Sequence, residues 1–163
     1  MKSTPKAAIV ITVGLIFSTA AVLAAQDYEA LKGVNSAKAI FDVRIGSPKS
    51  AAVHLKLIHQ TFKDLAASKK QPVFAVVFLG PSVKLISKNR EGFAPEDLKS
   101  LDEIAEAITG MSKDGIAFEI CLIAARLFNV DPAAVLPEIK RVENGWFSVI
   151  GYQAQGYSLV PAY

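Results

Sequence analysis

The spacing of hydrophobic residues changes repeatedly along the chain, and each change marks the boundary of a predicted strand or helix. Short apolar or alternating runs bounded by glycine or proline predict strands, whereas apolar residues three and four apart predict amphipathic helices. The predicted strands are 39–45, 72–79, 115–120, 139–142 and 157–160, and the main predicted helices are 48–68, 96–110, a helix directly after Cys121, and 146–155. This alternation predicts an α/β three-layer fold with a mainly parallel five-stranded sheet and helices on both faces.

The second predicted strand, 72–79, strengthens the case for a parallel sheet. It is a continuous apolar run between a proline and a glycine, which is typical of a strand buried on both faces. The first long helix also has a clear start, because Ser47 is suited to the N-cap and Pro48 to the first helical position.

The N-terminus follows a different pattern from the rest. Lys2 and Lys6 precede an apolar run over 7–25 that ends in small residues, as in a secretory signal peptide cleaved after Ala24 or Ala25. An uncleaved membrane anchor is the alternative, since about 19 apolar residues can just span a bilayer; the many alanine, threonine, serine and glycine residues make it a weak one. The predicted organisation is a signal peptide (1–25), a polar lead-in (26–38) and a single α/β domain (39–163), located in the periplasm.

Charge and motifs exclude several function classes. The chain has 18 Lys and Arg residues against 15 Asp and Glu, and two of the lysines lie in the leader, so the mature domain is close to neutral. No basic cluster interleaved with aromatic residues occurs, and we predict no nucleic-acid partner. The motifs for nucleotide binding, serine hydrolysis and dithiol redox chemistry are missing, and His54 and His59 are badly spaced for a shared metal, so no cofactor and no metal site are predicted.

Cys121, the single cysteine of the chain, lies where a predicted strand meets a predicted helix. A helix N-terminus carries partial positive charge and free N–H groups, which favour a thiolate over a thiol. In an oxidising compartment an unpaired cysteine is either a reactive thiol or an inert packing residue. Its neighbours Ile120, Leu122 and Ile123 suit the second interpretation, because buried free cysteines behave as small hydrophobic residues.

Topology brings further residues to Cys121. The carboxyl ends of parallel strands share one edge of the sheet, where ligands commonly bind. The segments predicted at this edge are Gly46-Ser47-Pro48, Gly80-Pro81-Ser82, Cys121 and Asn144-Gly145. The candidate pocket residues around the thiol are Gly80, Pro81, Ser82, Asn144 and Gly145. Ordinary strand-to-helix turns would account for the same residues.

Three segments in this order resemble the DsrE/DsrF-like sulfur-relay family. They are VVFLGPSVKLI (76–86), GIAFEIC (115–121) and QAQGYSLVP (153–161), and the resemblance covers about 39–161. It implies a five-stranded parallel α/β fold, assembly into trimers or hexamers, and a cysteine matching Cys121 that carries sulfur as a persulfide. It also implies that the Gly80-Pro81 turn lines the pocket of that cysteine.

Two hypotheses of function follow. The first is a periplasmic sulfur-handling protein, either a sulfurtransferase or a sulfur carrier, that uses Cys121 and meets sulfur donor and acceptor proteins. The second is a non-catalytic oligomeric binding module in which Cys121 only packs. A membrane partner is expected only if the leader stays uncleaved.

We also predict a homo-oligomer from the last helix. Its apolar residues exceed what one short helix needs for its own docking, which is typical of an interface. They are Trp146, Phe147, Val149, Ile150 and Tyr152. The alternative is that the aromatic residues complete the core of a monomer.

Overall fold

Five strands form one sheet in which every pairing is parallel. The computed structural model describes residues 28–163, and the predicted leader, 1–25, lies outside the described residues. The strands are β1 (Ser36–Val43), β2 (Gln71–Phe78), β3 (Ala117–Cys121), β4 (Lys140–Val142) and β5 (Ser158–Ala162), in the order β4-β3-β2-β1-β5. The predicted α/β fold with a parallel five-stranded sheet is therefore confirmed.

Within residues 28–163, four α-helices connect the strands. They are α1 (Pro48–Ala67), α2 (Leu98–Lys113), α3 (Leu122–Leu127) and α4 (Gly145–Ala154), and short 3-10 turns span Glu29–Leu31, Gly80–Lys84, Pro95–Asp97 and Pro132–Ala134. The start of α1 is as predicted, since the Ser47 hydroxyl accepts a hydrogen bond from the Ser50 amide at 3.4 Å and Pro48 is the first helical residue. Among the described residues no helix is long and apolar enough to cross a membrane.

The strand order explains why helices cover both faces. Strands β1 to β4 are added in one direction, so right-handed crossovers place α1, α2 and α3 on one face. The chain then returns across the sheet to put β5 beside β1, and α4 therefore lies on the opposite face, where it contacts β1, β2 and β3. We call this second face the α4 face.

The two faces are covered unequally. On the first face, α1 and α2 pack together over aromatic rings, with centroids of Phe41 and Phe74 5.0 Å apart and of Phe62 and Phe74 5.4 Å apart. The α4 face has one helix of ten residues, and two carboxylates, Asp42 and Glu119, are buried there. The polar chemistry of the protein is thus concentrated under α4.

Several predicted boundaries were wrong by a few residues. Strand β1 begins at Ser36, inside the predicted polar lead-in, because 36–38 pair with 71–73 of β2. The helix predicted to begin at Glu96 begins at Leu98, after a 3-10 turn, and continues to Lys113.

Candidate cysteine site

Cys121 is the last residue of β3 and the residue that precedes α3. It pairs with Val142 of β4, and its backbone is extended, with φ −75° and ψ 115°. The residue is 5% exposed, and its thiol is free. The predicted strand–helix junction is therefore present, with the sulfur held just below the surface at the carboxyl edge of the sheet.

The N-terminus of α4 lies directly against Cys121. A Cβ atom added at Gly145 would be 2.9 Å from the Cβ of Cys121, a distance that real Cβ atoms do not show. Asn144 is the N-cap of this helix, and its side chain accepts a hydrogen bond from the Trp146 amide at 3.0 Å. Cys121 thus lies beside the first turns of two helices, α3 and α4, and the N-terminus of a helix carries partial positive charge.

A cavity of about 290 Å³ opens beside Cys121. Its wall is mainly apolar, with one cation and one amide among the lining side chains. The lining residues are Arg44, Leu79, Gly80, Cys121, Ile123, Ala124, Leu127, Phe128, Asn144 and Trp146. An apolar wall next to a thiol can hold a small, weakly hydrated group bonded to the sulfur and keeps water from it. We call this the cysteine cavity.

The Gly80–Lys84 turn contributes one wall of the cysteine cavity. Gly80 lines it with φ +56°, a left-handed conformation that glycine adopts at little cost. Ser82 is fully buried, and its hydroxyl lies 2.8 Å from the carbonyl oxygens of both Val43 and Leu79, so it holds the turn against the end of β1. Pro81 lies against Gly46, where an added Cβ would be 3.3 Å from the proline Cβ.

The five predicted pocket residues therefore occupy different places. Gly80 and Asn144 line the cavity, whereas Gly145 lets α4 approach the cysteine. Pro81 and Ser82 lie behind the wall and support the turn.

Arg44 also lines the cysteine cavity, although it was not among the predicted pocket residues. Its Nε donates to Asp42 Oδ1 at 2.9 Å and its Nη2 to Asp42 Oδ2 at 2.9 Å, and Asp42 is 3% exposed. The hydrogen bonds to Asp42 raise the pKa of the Arg44 guanidinium. A fixed positive charge thus lies at the edge of the cavity. In the sequence, this ion pair could have been recognised from Asp42 and Arg44, two opposite charges that lie two residues apart in the otherwise apolar predicted strand 39–45.

A second cation, Arg126, lies in the last turn of α3. Arg126 forms an ion pair with Glu143, and the Glu143 carbonyl oxygen accepts a hydrogen bond from the Ile123 amide at 3.3 Å. The hydrogen bonds to Glu143 raise the pKa of the Arg126 guanidinium.

Glu119 lies on the same face of the sheet as Cys121, because residues two apart in a strand point the same way. Its Oε1 accepts a hydrogen bond from the Tyr152 hydroxyl at 3.4 Å, and the Lys140 ammonium lies 3.9 Å away. The structure places Glu119 under α4, toward a cleft beside β4.

The histidines are not arranged as a metal site. The Nε2 of His59 lies 2.6 Å from Asp114 Oδ2, and the Nδ1 of His54 lies 2.9 Å from the Ser50 carbonyl oxygen. Within residues 28–163, no group of three or more histidine, cysteine, aspartate or glutamate side chains could hold a metal ion.

The fold and the site together define a class of protein: a parallel α/β domain with a lone cysteine at the carboxyl end of an inner strand, beside an apolar cavity. The chain belongs to the DsrE/DsrF-like family, whose sequence profile matches residues 38–161. This family is associated in general with sulfur relay.

Individual relatives are distant in sequence. An uncharacterized protein of Aquifex aeolicus is 22% identical over 125 residues, a match that covers 76% of this chain and 55% of the relative. The chain thus spans about half the length of this relative.

Two solved structures share the fold. MTH1491 from Methanobacterium thermoautotrophicum, a protein of unknown function, superposes with a TM-score of 0.58 at 14% identity, covering 77% of this chain and 98% of that one. The ychN protein from E. coli gives a TM-score of 0.50 at 9% identity, covering 77% of this chain and 99% of that one.

Proposed function

We propose that this protein is a sulfur carrier that holds sulfane sulfur as a persulfide on Cys121. The observation that carries the proposal is the cysteine cavity, a largely apolar space of about 290 Å³ that the residue lines. The outer sulfur of a persulfide is polarizable and weakly hydrated, so apolar walls suit it. Membership of a family associated with sulfur relay supports the same chemistry.

Loading is a nucleophilic displacement at sulfur. The Cys121 thiolate attacks a terminal sulfur of a polysulfide or of a donor persulfide, the donor S–S bond breaks, and its electron pair leaves with the shortened donor. The thiolate sulfur is oxidised to the persulfide level and the donor sulfur is reduced. Release is the same reaction in reverse: an acceptor thiolate attacks the outer sulfur, and Cys121 leaves as the thiolate.

The surroundings of Cys121 favour this reaction electrostatically. Arg44 lies at the cavity edge, Arg126 lies in the last turn of α3, and the first turn of α4 lies against the cysteine. The two cations, each paired with a carboxylate, would attract an anionic polysulfide donor at short range.

Intact-mass spectrometry after incubation with inorganic polysulfide tests the proposal. We expect an added mass of about 32 Da, one sulfur atom, on the native protein and none on Cys121→Ser. If no adduct forms and the folded thiol is also inert to alkylating reagents, the carrier proposal is wrong. The second hypothesis, a non-catalytic binding module with a packing cysteine, would then be favoured.

We also propose that the protein is a homo-oligomer. Three apolar side chains of α4 are strongly exposed: Trp146 (60%), Phe147 (74%) and Ile150 (63%). Leu127, 75% exposed, adds to the patch across the mouth of the cysteine cavity. An apolar surface of this kind is typical of an interface, and a neighbouring subunit placed there would cover the cavity mouth.

Light scattering on the mature protein tests the assembly. We expect the mass of a trimer or hexamer, and Trp146→Ala should shift the distribution toward smaller species while the subunit stays folded by circular dichroism. A single-chain mass that does not change with concentration would contradict the proposal.

Export to the periplasm is a further proposal, supported by the lysines and apolar run of the leader. N-terminal sequencing of protein from a periplasmic extract should give a chain beginning at Ala25 or Gln26. Recovery only in membranes, with the lysines of the leader retained, would favour the anchor instead.

A further inference from the structure

The cysteine cavity is larger than a persulfide needs. A persulfide adds one sulfur atom to Cys121, and an atom of that size fills about as much space as a water molecule, about 30 Å³. The cavity has a volume of about 290 Å³. It therefore has room for several further non-hydrogen atoms beside the outer sulfur, and its size is near the lower end of the range for small-molecule sites.

The wall of the cysteine cavity carries apolar surface that still meets solvent. Six of its ten lining residues have apolar side chains, and four of the six are more than one third exposed. These four are Ile123, Leu127, Phe128 and Trp146. An aliphatic group placed against them would remove apolar surface from water, which is favourable. The wall thus suits a ligand with an apolar stem.

The polar side chains of the cavity already have partners. Arg44 donates two hydrogen bonds to Asp42 at 2.9 Å, and this ion pair reduces the net charge that the guanidinium brings to the wall. The side-chain oxygen of Asn144 accepts a hydrogen bond from the Trp146 amide at 3.0 Å. A stem inside the cavity would therefore be recognised by apolar contact and not by charge.

Cys121 is accessible to a small reagent and poorly accessible to a large one. The residue is 5% exposed, lines the cavity, and lies between the first turns of α3 and α4. A cysteine on the surface of a folded protein brings its own backbone with it, and a space of about 290 Å³ does not hold both. A small organic thiol can enter the same space.

We propose that the partner in sulfur transfer is a small organic thiol with an uncharged apolar stem, R–SH, and that the cysteine cavity binds this stem; the inference rests on the proposed sulfur-carrier function. The thiolate of the small molecule attacks the outer sulfur of the Cys121 persulfide. The S–S bond of that persulfide breaks, and its electron pair stays on Cys121 as the thiolate. The small molecule leaves as R–S–SH, and the same reaction in reverse loads Cys121 from such a persulfide.

Protection of Cys121 from alkylation tests the stem site without any sulfur transfer. Butyl methyl sulfide has an apolar stem but no thiol, and 3-(methylthio)propanoate has a carboxylate on a stem of similar length. We expect butyl methyl sulfide to slow alkylation by iodoacetamide saturably, and the carboxylate to protect at least about tenfold more weakly, because burying its charge is costly. Equal protection by both compounds, no protection, or a folded Cys121 that iodoacetamide does not reach would overturn the proposal.

Ile123→Ala removes part of the wall, and Val53→Ala is its matched control. Both residues are β-branched and lie on helices, with side chains 39% and 49% exposed, but Val53 lies on α1 and does not line the cavity. The half-protecting concentration of butyl methyl sulfide should rise about three- to tenfold in Ile123→Ala, because apolar contact is lost. It should not change in Val53→Ala. Equal protection of the two variants would contradict the site.

A series of straight-chain thiols tests the transfer on persulfide-loaded wild-type protein, and it requires no variant to fold. From ethanethiol to 1-butanethiol, the half-saturating concentration for release of the sulfur should fall about threefold for each added methylene group, because each group is buried against the wall. 3-Mercaptopropionate, which ends in a carboxylate, should show no saturation over the same range. Release that does not depend on stem length would refute the proposed partner.

The two assays separate this inference from the sulfur-carrier proposal. If polysulfide loads Cys121 but neither assay finds a preference for an apolar stem, the carrier stands and the apolar thiol partner is wrong. If butyl methyl sulfide protects Cys121 but polysulfide leaves no adduct, the stem site stands, and sulfur carriage fails together with the transfer to R–SH.

Discussion

The approach of α4 to Cys121 depends on Gly145, and Gly145→Ala should destabilise the protein. The added methyl group would lie 2.9 Å from the Cβ of Cys121, 3.2 Å from Leu79 Cδ2 and 3.3 Å from Val77 Cγ1. The two aliphatic ends can rotate, but the Cβ of Cys121 is fixed to strand β3. The first turn of α4 must therefore move away from the sheet.

The size of the effect follows from two opposing terms. Adding a methyl group to a closely packed site costs about 1–3 kcal/mol, whereas alanine in place of glycine within a helix gains up to about 1 kcal/mol. The gain is smaller at the first helical residue, so we expect a net loss of about 1–2 kcal/mol. For a domain of this size that lowers the melting temperature by about 3–8 °C.

Gly151→Ala is the matched control. Gly151 lies in the same helix, and an added Cβ there would meet nothing within 4 Å. This variant should be as stable as the wild type or more stable, and its Cys121 should be alkylated at the wild-type rate. Gly145→Ala should be less stable and have an altered alkylation rate. The reasoning is refuted if thermal unfolding finds Gly145→Ala equal to Gly151→Ala.

Three further predictions concern the supports of the site, one hydrogen bond elsewhere in the fold, and the charge at the cavity. Ser82→Ala should lower the free energy of urea unfolding by about 1–2 kcal/mol, because the hydroxyl is buried and its hydrogen bond to the carbonyl oxygen of Val43 or Leu79 is lost. No loss would show that the turn does not need this hydrogen bond. The hydrogen bond from Thr109 lowers the pKa of Glu138 below its usual value of 4.5, so it stabilises the fold above that pH and is lost on acidification. Thr109→Val should therefore flatten the fall in stability at acid pH, and an unchanged slope would contradict this. Arg44→Gln should slow persulfide loading from anionic polysulfide by about three- to tenfold, and an unchanged loading rate would exclude a role for its charge.

The sequence predicted the helices and strands whose hydrophobic residues recur at a regular spacing. The apolar run at 72–79 and the amphipathic patterns of α1 and α2 reflect which residues of each element are buried. These patterns were therefore enough to predict the strand, the two helices and the parallel sheet. Cys121 was placed at a strand–helix junction for the same reason. Gly80 and Asn144 could be assigned to the sheet edge because the carboxyl ends of parallel strands meet there.

Other parts of the site depend on the order of the strands in the sheet, which no local sequence pattern predicts. The order β4-β3-β2-β1-β5 puts α4 on the face opposite α1, α2 and α3, and this crossing brings Gly145 against Cys121. Leu127 and Phe128 have the pattern of core residues on a helix, yet they line the cavity with substantial exposure. The surroundings of Glu119 were also hidden, since the packing of α4 brings the Tyr152 hydroxyl to its carboxylate.

The most direct test of the sulfur-carrier account is whether a loaded sulfur atom can leave Cys121 again under native conditions. Protein carrying the adduct of about 32 Da is freed of polysulfide and mixed with a small acceptor thiol, and its mass is followed over time. The account predicts that the protein returns to its unmodified mass while one equivalent of acceptor persulfide forms, because the acceptor thiolate takes the outer sulfur and Cys121 leaves. An adduct that persists until the protein is unfolded would contradict the account.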